Sequence, residues 1–227
     1  RVPNMLKRLG ELDLDFRGFH IYCGSQNLSC DSIIEAQNKT IDLGFRLAEF
    51  APQPVSVLNI GGGFGIPLFP GDSYLDLGPI AENLEARMRD VAKRLPTARV
   101  AIELGRYLVG EAGLYVCEVV DRKLSRGEVF IITNGGLHQH LAASGNFGQV
   151  LRKNFPVVVA NRVVGSEREI ANVVGPLCTP LDILAAQMEL AVAQPGDLIG
   201  VYQSGAYGYT TSPIAFLGHP PPAQILV

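Results

Sequence analysis

The chain has 227 residues, 47% hydrophobic and 18% charged, enough for one large domain or two smaller ones with real cores. Its net charge of -3 gives no support to a nucleic-acid partner, no apolar run is long enough to span a bilayer, and no signal peptide opens the sequence. The four cysteines, Cys23, Cys30, Cys117 and Cys178, fall in no paired spacing and read as free thiols of a reducing, cytoplasmic compartment.

The first ten residues look like the middle of a helix ended by Gly10, which makes the chain an expected piece of a longer protein. Residues 14–24, rich in aromatic and β-type side chains, predict a strand. From Asp31 to Phe50 the apolar residues Ile33, Ile34, Ile41 and Leu47 recur near a helical period. A strand over Val55–Ile60, a glycine loop, a helix from Pro79 to Leu95 and a strand over 98–105 follow. Strands alternating with helices of this length imply parallel βα units. Three strands by residue 105 are too few for a complete barrel and fit part of one.

After Gly113 the texture changes to short β-rich runs separated by Gly and Pro, the pattern of an all-β module. Two runs meet at a turn over Ser125–Gly127, and further strands are expected at 155–164, 169–175, 197–209, 214–219 and 223–227. A helix is expected over Thr179–Leu190, with Pro180 tolerated in its first turn. The division falls at 112/113, giving an α/β part over 1–112 and a β-domain over 113–227.

Five stretches carry chemistry. "NIGGGFG" (Asn59–Gly65) matches neither dinucleotide nor P-loop fingerprints, so Gly61, Gly62 and Gly63 are either a tight βα turn or bare backbone around a phosphate. "ELGR" places Glu103, Gly105 and Arg106 where the next strand ends, the rim on which functional groups of βα barrels concentrate. A carboxylate beside a phosphate site can pair with a protonated pyridine nitrogen, as pyridoxal phosphate requires. "HIYCGSQ" (His20–Gln26) ends the first strand and offers Tyr22 and the hydroxyl and N–H of Ser25. In the β-domain, "GPLCTPLD" presents Cys178 ahead of the expected helix, whose N-terminus would lower the thiol pKa, and "SGAYG" presents Tyr207 among small residues. "GLHQH" sets His138 and His140 two residues apart, and with no third ligand in evidence it gives no metal site.

Taken in order, these stretches resemble the fold-type III pyridoxal-phosphate decarboxylases, the group of ornithine, arginine and diaminopimelate decarboxylases, over nearly the whole chain. The resemblance implies the C-terminal part of a TIM (β/α)8 barrel followed by a C-terminal β-domain, with pyridoxal 5'-phosphate as cofactor and active sites shared across a homodimer. It implies that Ser25 and Gly61–Gly63 bind the phosphate with Tyr207, that Glu103 partners the pyridine nitrogen of the cofactor beside Gly105, that Arg106 meets the cofactor phosphate or the substrate carboxylate, and that Cys178 protonates the product carbanion. His138 and Thr179 become candidate substrate contacts.

The departures from the family pattern carry information. Tyr22 stands where the family has a histidine stacked on the cofactor ring, and Thr179 stands where an acidic residue binds a distal amine. Ala142 and Asn146 fall roughly where diaminopimelate decarboxylases place Arg and Tyr, so a free diamine-forming substrate is disfavoured. Within the family the pattern is most similar to the butirosin-biosynthesis decarboxylase that acts on a carrier-protein-linked amino acid. The expected substrate is therefore a small amino acid or a group on an acidic acyl-carrier protein, which Arg152, Lys153, Arg162 and Arg168 could meet, although a solvated face explains these four equally well. A non-catalytic homologue that regulates a decarboxylase is the alternative, and a racemase is weighed against by "GPLC".

The lysine that carries the cofactor in this family sits in an earlier strand. None of Lys7, Lys39, Lys93, Lys123 and Lys153 has that context. Reductive trapping with borohydride and pyridoxal phosphate is expected to leave this chain unlabelled, and label on any of the five lysines contradicts the assignment.

Overall fold

The computed structural model describes residues 1–149, 152–164 and 167–227. It divides into two compact units, Arg1–Pro67 with Asp72–Tyr107, and Leu68–Gly71 with Leu108–Val227.

In the first unit the order is α1 (Val2–Gly10), β1 (Gly18–His20), α2 (Cys30–Ala48), β2 (Val57–Gly62), α3 (Leu77–Arg94) and β3 (Arg99–Glu103). The three strands form one parallel sheet in the order β1-β2-β3. Both long helices begin at side-chain caps, which supply acceptors to N–H groups that the helix itself leaves unpaired. Ser29 accepts from Ser32 N–H, and Asp76 accepts from Gly78 N–H. Helix α2 lies close on the sheet because Gly44 has no side chain there: a Cβ would stand 2.9 Å from Leu58 Cδ1. Behind it Ile41, Phe45, Val55, Leu58, Ile60, Val91 and Leu95 make the core. Arg87 of α3 joins the two helices by pairing with Asp42 of α2 and also pairs within its own helix with Asp90, and Arg94 stacks 4.0 Å from the Phe45 ring centroid.

A short helix, α4 (Gly105–Val109), spans the division. The second unit carries β4 (Tyr115–Ser125), β5 (Glu128–Thr133), β6 (Val157–Val159), β7 (Arg168–Val174), β8 (Ile183–Ala191) and β9 (Leu198–Val201). They form a six-stranded sheet in the order β6-β9-β4-β5-β7-β8. All its neighbours run antiparallel except β5 and β7, which are parallel. The two ends of this order approach each other. Asn154, just before β6, donates to Ala186 O on β8 at 2.7 Å and accepts from its N–H at 2.9 Å. Inward residues alternate along the strands, as in Tyr115, Cys117 and Val119 of β4, and Ile131, Ala171, Val173, Leu184 and Ile199 of the other strands are buried with them.

The structure corrects five sequence expectations. The first strand is only Gly18–His20, while β2 runs on through Ile60 into Gly61 and Gly62, so the glycines end a strand before they turn. The helix expected over Thr179–Leu190 is a turn followed by β8. Its Leu, Ala, Met and Glu favour a helix locally, but β7 offers an open edge, and burial of Leu184, Ala185 and Leu190 against the sheet wins. Residues 214–219 form a turn of 3-10 helix at Phe216–Gly218, and 223–227 pair with no strand. Among the described helices none is long and apolar enough to cross a membrane.

Asp197, at the start of β9, shows how the second unit manages buried charge. It is 5% exposed, yet accepts from Gln194 N–H at 2.8 Å, Asn161 Nδ2 at 2.7 Å and Arg162 Nε at 2.9 Å. Burial alone works against its charge, but these donors more than offset it and hold the carboxyl below the usual carboxylate range. A carboxylate depressed in the folded state stabilises above its unfolded pKa, and that stabilisation is lost as the pH falls through the folded value. Asp197→Asn is therefore expected to lower stability by about 1–3 kcal/mol at neutral pH. The deficit should shrink below about pH 4, where an unfolded Asp is protonated. Urea midpoints of both proteins at the two pH values check this; a pH-independent deficit contradicts it.

Candidate functional site

β1, β2 and β3 each contribute one polar side chain, His20 and Glu103 from the last residues of β1 and β3 and Asn59 from the middle of β2. His20 and Asn59 are register partners on β1 and β2, and Glu103 ends β3 opposite Gly62. Asn59 Nδ2 donates to Glu103 Oε1 at 2.9 Å, and its Oδ1 accepts from Gly61 N–H at 2.9 Å. His20 Nε2 stands 3.3 Å from Glu103 Oε2. One oxygen of the carboxylate is thus engaged from the adjacent strand β2 and the other from β1 beyond it, while about half of its side-chain surface (53%) stays open. At that exposure an ion pair adds little stability. What the arrangement fixes is the direction of the carboxylate.

The glycine run is accounted for by backbone packing. A Cβ on Gly61 would stand 2.8 Å from Ile21 O, one on Gly62 1.5 Å from Glu103 O, and one on Gly63 2.1 Å from Gly24 O. Gly61 and Gly63 also adopt φ of +72° and +83°, which favour glycine. The loop after β1 runs alongside: Asn27 N–H donates to Gly63 O, and Gly65 N–H donates to Asn27 O, both at 2.9 Å. Ser25, exposed in this loop, is thereby brought beside Gly63. A cleft of about 320 Å³ opens here, lined by Ser25, Gln26, Gly61–Phe64 and Ile33. Tyr22 lies beside Gly61 with its side chain exposed, and Gly105 and Arg106 begin α4, directly after β3.

In the second unit Cys178 is exposed on the turn between β7 and β8. No helix follows it, so the expected effect of a helix N-terminus on its thiol has no source. The turn is pinned by a residue that the motif reading passed over. Asp182 is buried and accepts from Leu137 N–H at 2.6 Å and Leu177 N–H at 2.9 Å. Gly136 and Gly175 pack so closely on this carboxylate that a Cβ on either would stand 2.3 Å from one of its oxygens. The Thr179 hydroxyl accepts from Leu181 N–H within the same turn. Cys117, by contrast, is buried, and burial pushes its thiol up to about 11, closing thiolate chemistry to it.

His138 does not present itself to a substrate. It is fully buried, its ring lies 5.1 Å from that of His219, and neither ring nitrogen has a hydrogen-bond partner among the described residues. Burial pushes its pKa down. Tyr207 is 41% exposed and holds a left-handed φ of +57°. The basic residues proposed to meet a carrier protein are engaged within the chain. Arg152 donates to Ser144 O and Ile183 O, Lys153 sits 4.9 Å from the Phe69 ring centroid, Arg162 pairs with Asp197, and Arg168 pairs with Glu189.

A family model described as "Pyridoxal-dependent decarboxylase, C-terminal sheet domain" matches residues 21–205. The chain belongs to the pyridoxal-dependent decarboxylases. It is 44% identical over 215 residues to the L-glutamyl-[BtrI acyl-carrier protein] decarboxylase of Niallia circulans, covering 93% of this chain and 50% of that protein. It is 29% identical over 200 residues to the diaminopimelate decarboxylase of Aquifex aeolicus, covering 88% and 45%. The solved diaminopimelate decarboxylase of M. jannaschii with L-lysine superposes with a TM-score of 0.77 over 96% of this chain and 49% of that one, at 22% identity, a likeness of fold. The chain spans about half the length of the curated relatives it matches.

The residues present fit the family's cofactor. A fixed carboxylate with an open side is the partner that a pyridine N–H takes, and side-chain-free backbone beside Ser25 suits a phosphate. Asn59 is the residue that motif reading missed. Its signal was in the sequence, since asparagine is depleted in strands and here precedes the glycines inside one.

Backbone contact makes Gly62 the least replaceable residue of this rim. Gly62→Ala is expected to cost about 3 kcal/mol or more, the upper range of overpacking, read as a lower denaturation midpoint. A loss within about 0.5 kcal/mol, typical of an ordinary surface change, contradicts the close contact.

Proposed function

We propose that this chain is the C-terminal half of a pyridoxal-phosphate-dependent decarboxylase acting on a small α-amino acid or an aminoacyl group tethered to a carrier protein. Residues 1–112 would be the later part of the cofactor-binding barrel and 113–227 its β-domain. The observation that carries the proposal is the Glu103 carboxylate, held by His20 and Asn59 with one side open beside the glycine run.

Pyridoxal phosphate, when bound, supplies the electron sink for the charge left as CO2 departs. In this proposal Glu103 holds a proton on the pyridine nitrogen, and Asn59 and His20 keep the carboxylate aimed. Ser25, the backbone of Gly61–Gly63 and Tyr207 bind phosphate, Gly105 and Arg106 complete the cofactor's contacts, and Tyr22 covers the ring face. Cys178 holds a proton at Sγ on an exposed turn and delivers it to the substrate carbon that has lost CO2. Thr179 borders the substrate beside it. A homodimer in which Cys178 of one copy serves the other belongs to the same proposal, supported by the family likeness.

The carrier-bound substrate is supported by the relative at 44% identity whose name specifies an acyl-carrier protein. It gains nothing from Arg152, Arg162 and Arg168, whose guanidinium groups are already engaged. A regulator without activity would have no use for an oriented Glu103, which favours the enzyme.

The test is CO2 release by the full-length protein from free amino acids and from aminoacyl-carrier conjugates, with wild type and Glu103→Gln compared. Wild type is expected to decarboxylate one class, and Glu103→Gln to lower kcat about 10²-fold or more, as for loss of a preorganised charge partner. No release from either class, or an unchanged rate in Glu103→Gln, contradicts the proposal.

A further inference from the structure

The segment after β5 holds a second buried histidine whose two ring nitrogens, unlike those of His138, are both used. His140 is 1% exposed and packs edge-on against Tyr115, with ring centroids 5.5 Å apart, and near Phe155. Its Nδ1 accepts from the Ala143 N–H at 3.1 Å. A backbone N–H can only donate, so the neutral ring carries its proton on Nε2, which stands 2.8 Å from Ser204 Oγ. The Ser204 hydroxyl donates in turn to Val201 O at 2.7 Å. The direction of the relay is therefore set from Ala143 through the imidazole to the end of β9. Burial brings the His140 pKa down to about 4, so this tautomer holds through neutral pH.

Ser204 opens the loop that carries Tyr207, and the loop is tied at several points. Ser204 N–H donates to Gly113 O at 2.9 Å and Gly205 N–H to Gly110 O at 3.0 Å. Gly205 has no alternative there, since a Cβ would stand 1.7 Å from Val109 O. At the far end Leu141 N–H donates to Ser212 Oγ at 2.8 Å, Ser212 Oγ donates to Gly208 O, and Thr211 Oγ1 donates to Tyr207 O at 2.6 Å. The adjacent residues His140 and Leu141 thus grip both ends of the segment 204–212. That grip bears on Tyr207, whose left-handed φ of +57° is costly for a side-chain-bearing residue and persists only where the surroundings impose it.

We infer that His140 is a positioning residue, which through Ser204 fixes the loop that presents Tyr207 to the phosphate of the cofactor. The inference rests on the proposed phosphate contact of Tyr207. A buried histidine serving only as core would explain the packing on Tyr115 and Phe155; it would not need both nitrogens committed, one of them to the Tyr207 loop.

The test uses the full-length protein stripped of cofactor, with dissociation constants for pyridoxal phosphate and for unphosphorylated pyridoxal read by equilibrium dialysis. His140→Phe keeps an aromatic ring and removes both polar atoms; Ser204→Ala removes a single hydroxyl and keeps the test open if the first variant does not fold. Both are expected to weaken pyridoxal phosphate about tenfold, the worth of one well-made hydrogen bond, and to change pyridoxal less than about twofold. Tyr207→Phe is expected to do the same, and Ser204→Ala added to it should bring little further loss. Unchanged binding in Tyr207→Phe overturns the phosphate contact itself. Weakened binding in Tyr207→Phe with none in Ser204→Ala overturns the positioning role alone, as does an equal loss for pyridoxal and pyridoxal phosphate.

Discussion

The backbone of β2 touches that of β3 where Gly62 meets Glu103, leaving no room for even one carbon atom between them. That contact lies past a shift of register between Asn59 and Gly62, which brings Glu103 opposite Gly62 at the end of β3, and the candidate site is built around it. Asn59 sits three residues before Gly62 on β2 and reaches across to Glu103, while His20, its partner on β1, reaches the other carboxylate oxygen. Each side chain comes from a different strand of the sheet, which itself dictates their spacing. Such a site is rigid for the same reason the sheet is, and it needs no loop to hold it.

The second unit reaches a similar end by a different device. Its exposed functional candidates, Cys178 and Tyr207, sit on irregular backbone, and each irregular stretch is anchored to a buried polar side chain. Asp182 gathers the N–H groups of Leu137 and Leu177, and His140 ties Ser204 to the segment after β5. In both places glycines allow the approach: Gly136 and Gly175 around the carboxylate, Gly205 and Gly113 around the loop. Buried polar groups of this kind are costly unless fully bonded, and once bonded they admit few alternative arrangements. The price of the buried acceptor is met by the precision of the turn.

Much of this was legible in the residues. Periodicity located α2, a helix was expected where α3 lies, and the βα alternation located the parallel sheet, because amphipathic helices and buried strands leave regular apolar patterns. The rim motifs were visible because glycine and charged residues at strand ends have few other uses. Three things were not visible. The strand β8 reads as a helix by propensity, and only the open edge of β7 makes it a strand. The role of Asp182 depends on N–H groups from Leu137, far away in sequence, which no local pattern reports. The four basic residues looked like a docking face because sequence gives charge without its partners; carbonyls, carboxylates and an aromatic ring take them up in the fold.

The central claim is that Glu103 is an oriented anion waiting for a positively charged ring nitrogen. The most direct measurement is the nitrogen NMR shift of pyridoxal phosphate labelled at its ring nitrogen and bound to the full-length protein. A shift typical of a protonated ring in wild type, moving to that of a neutral ring in Glu103→Gln, is the expected result. A neutral ring in the wild-type protein would contradict the assignment of Glu103, and with it the chemistry built on the three strands.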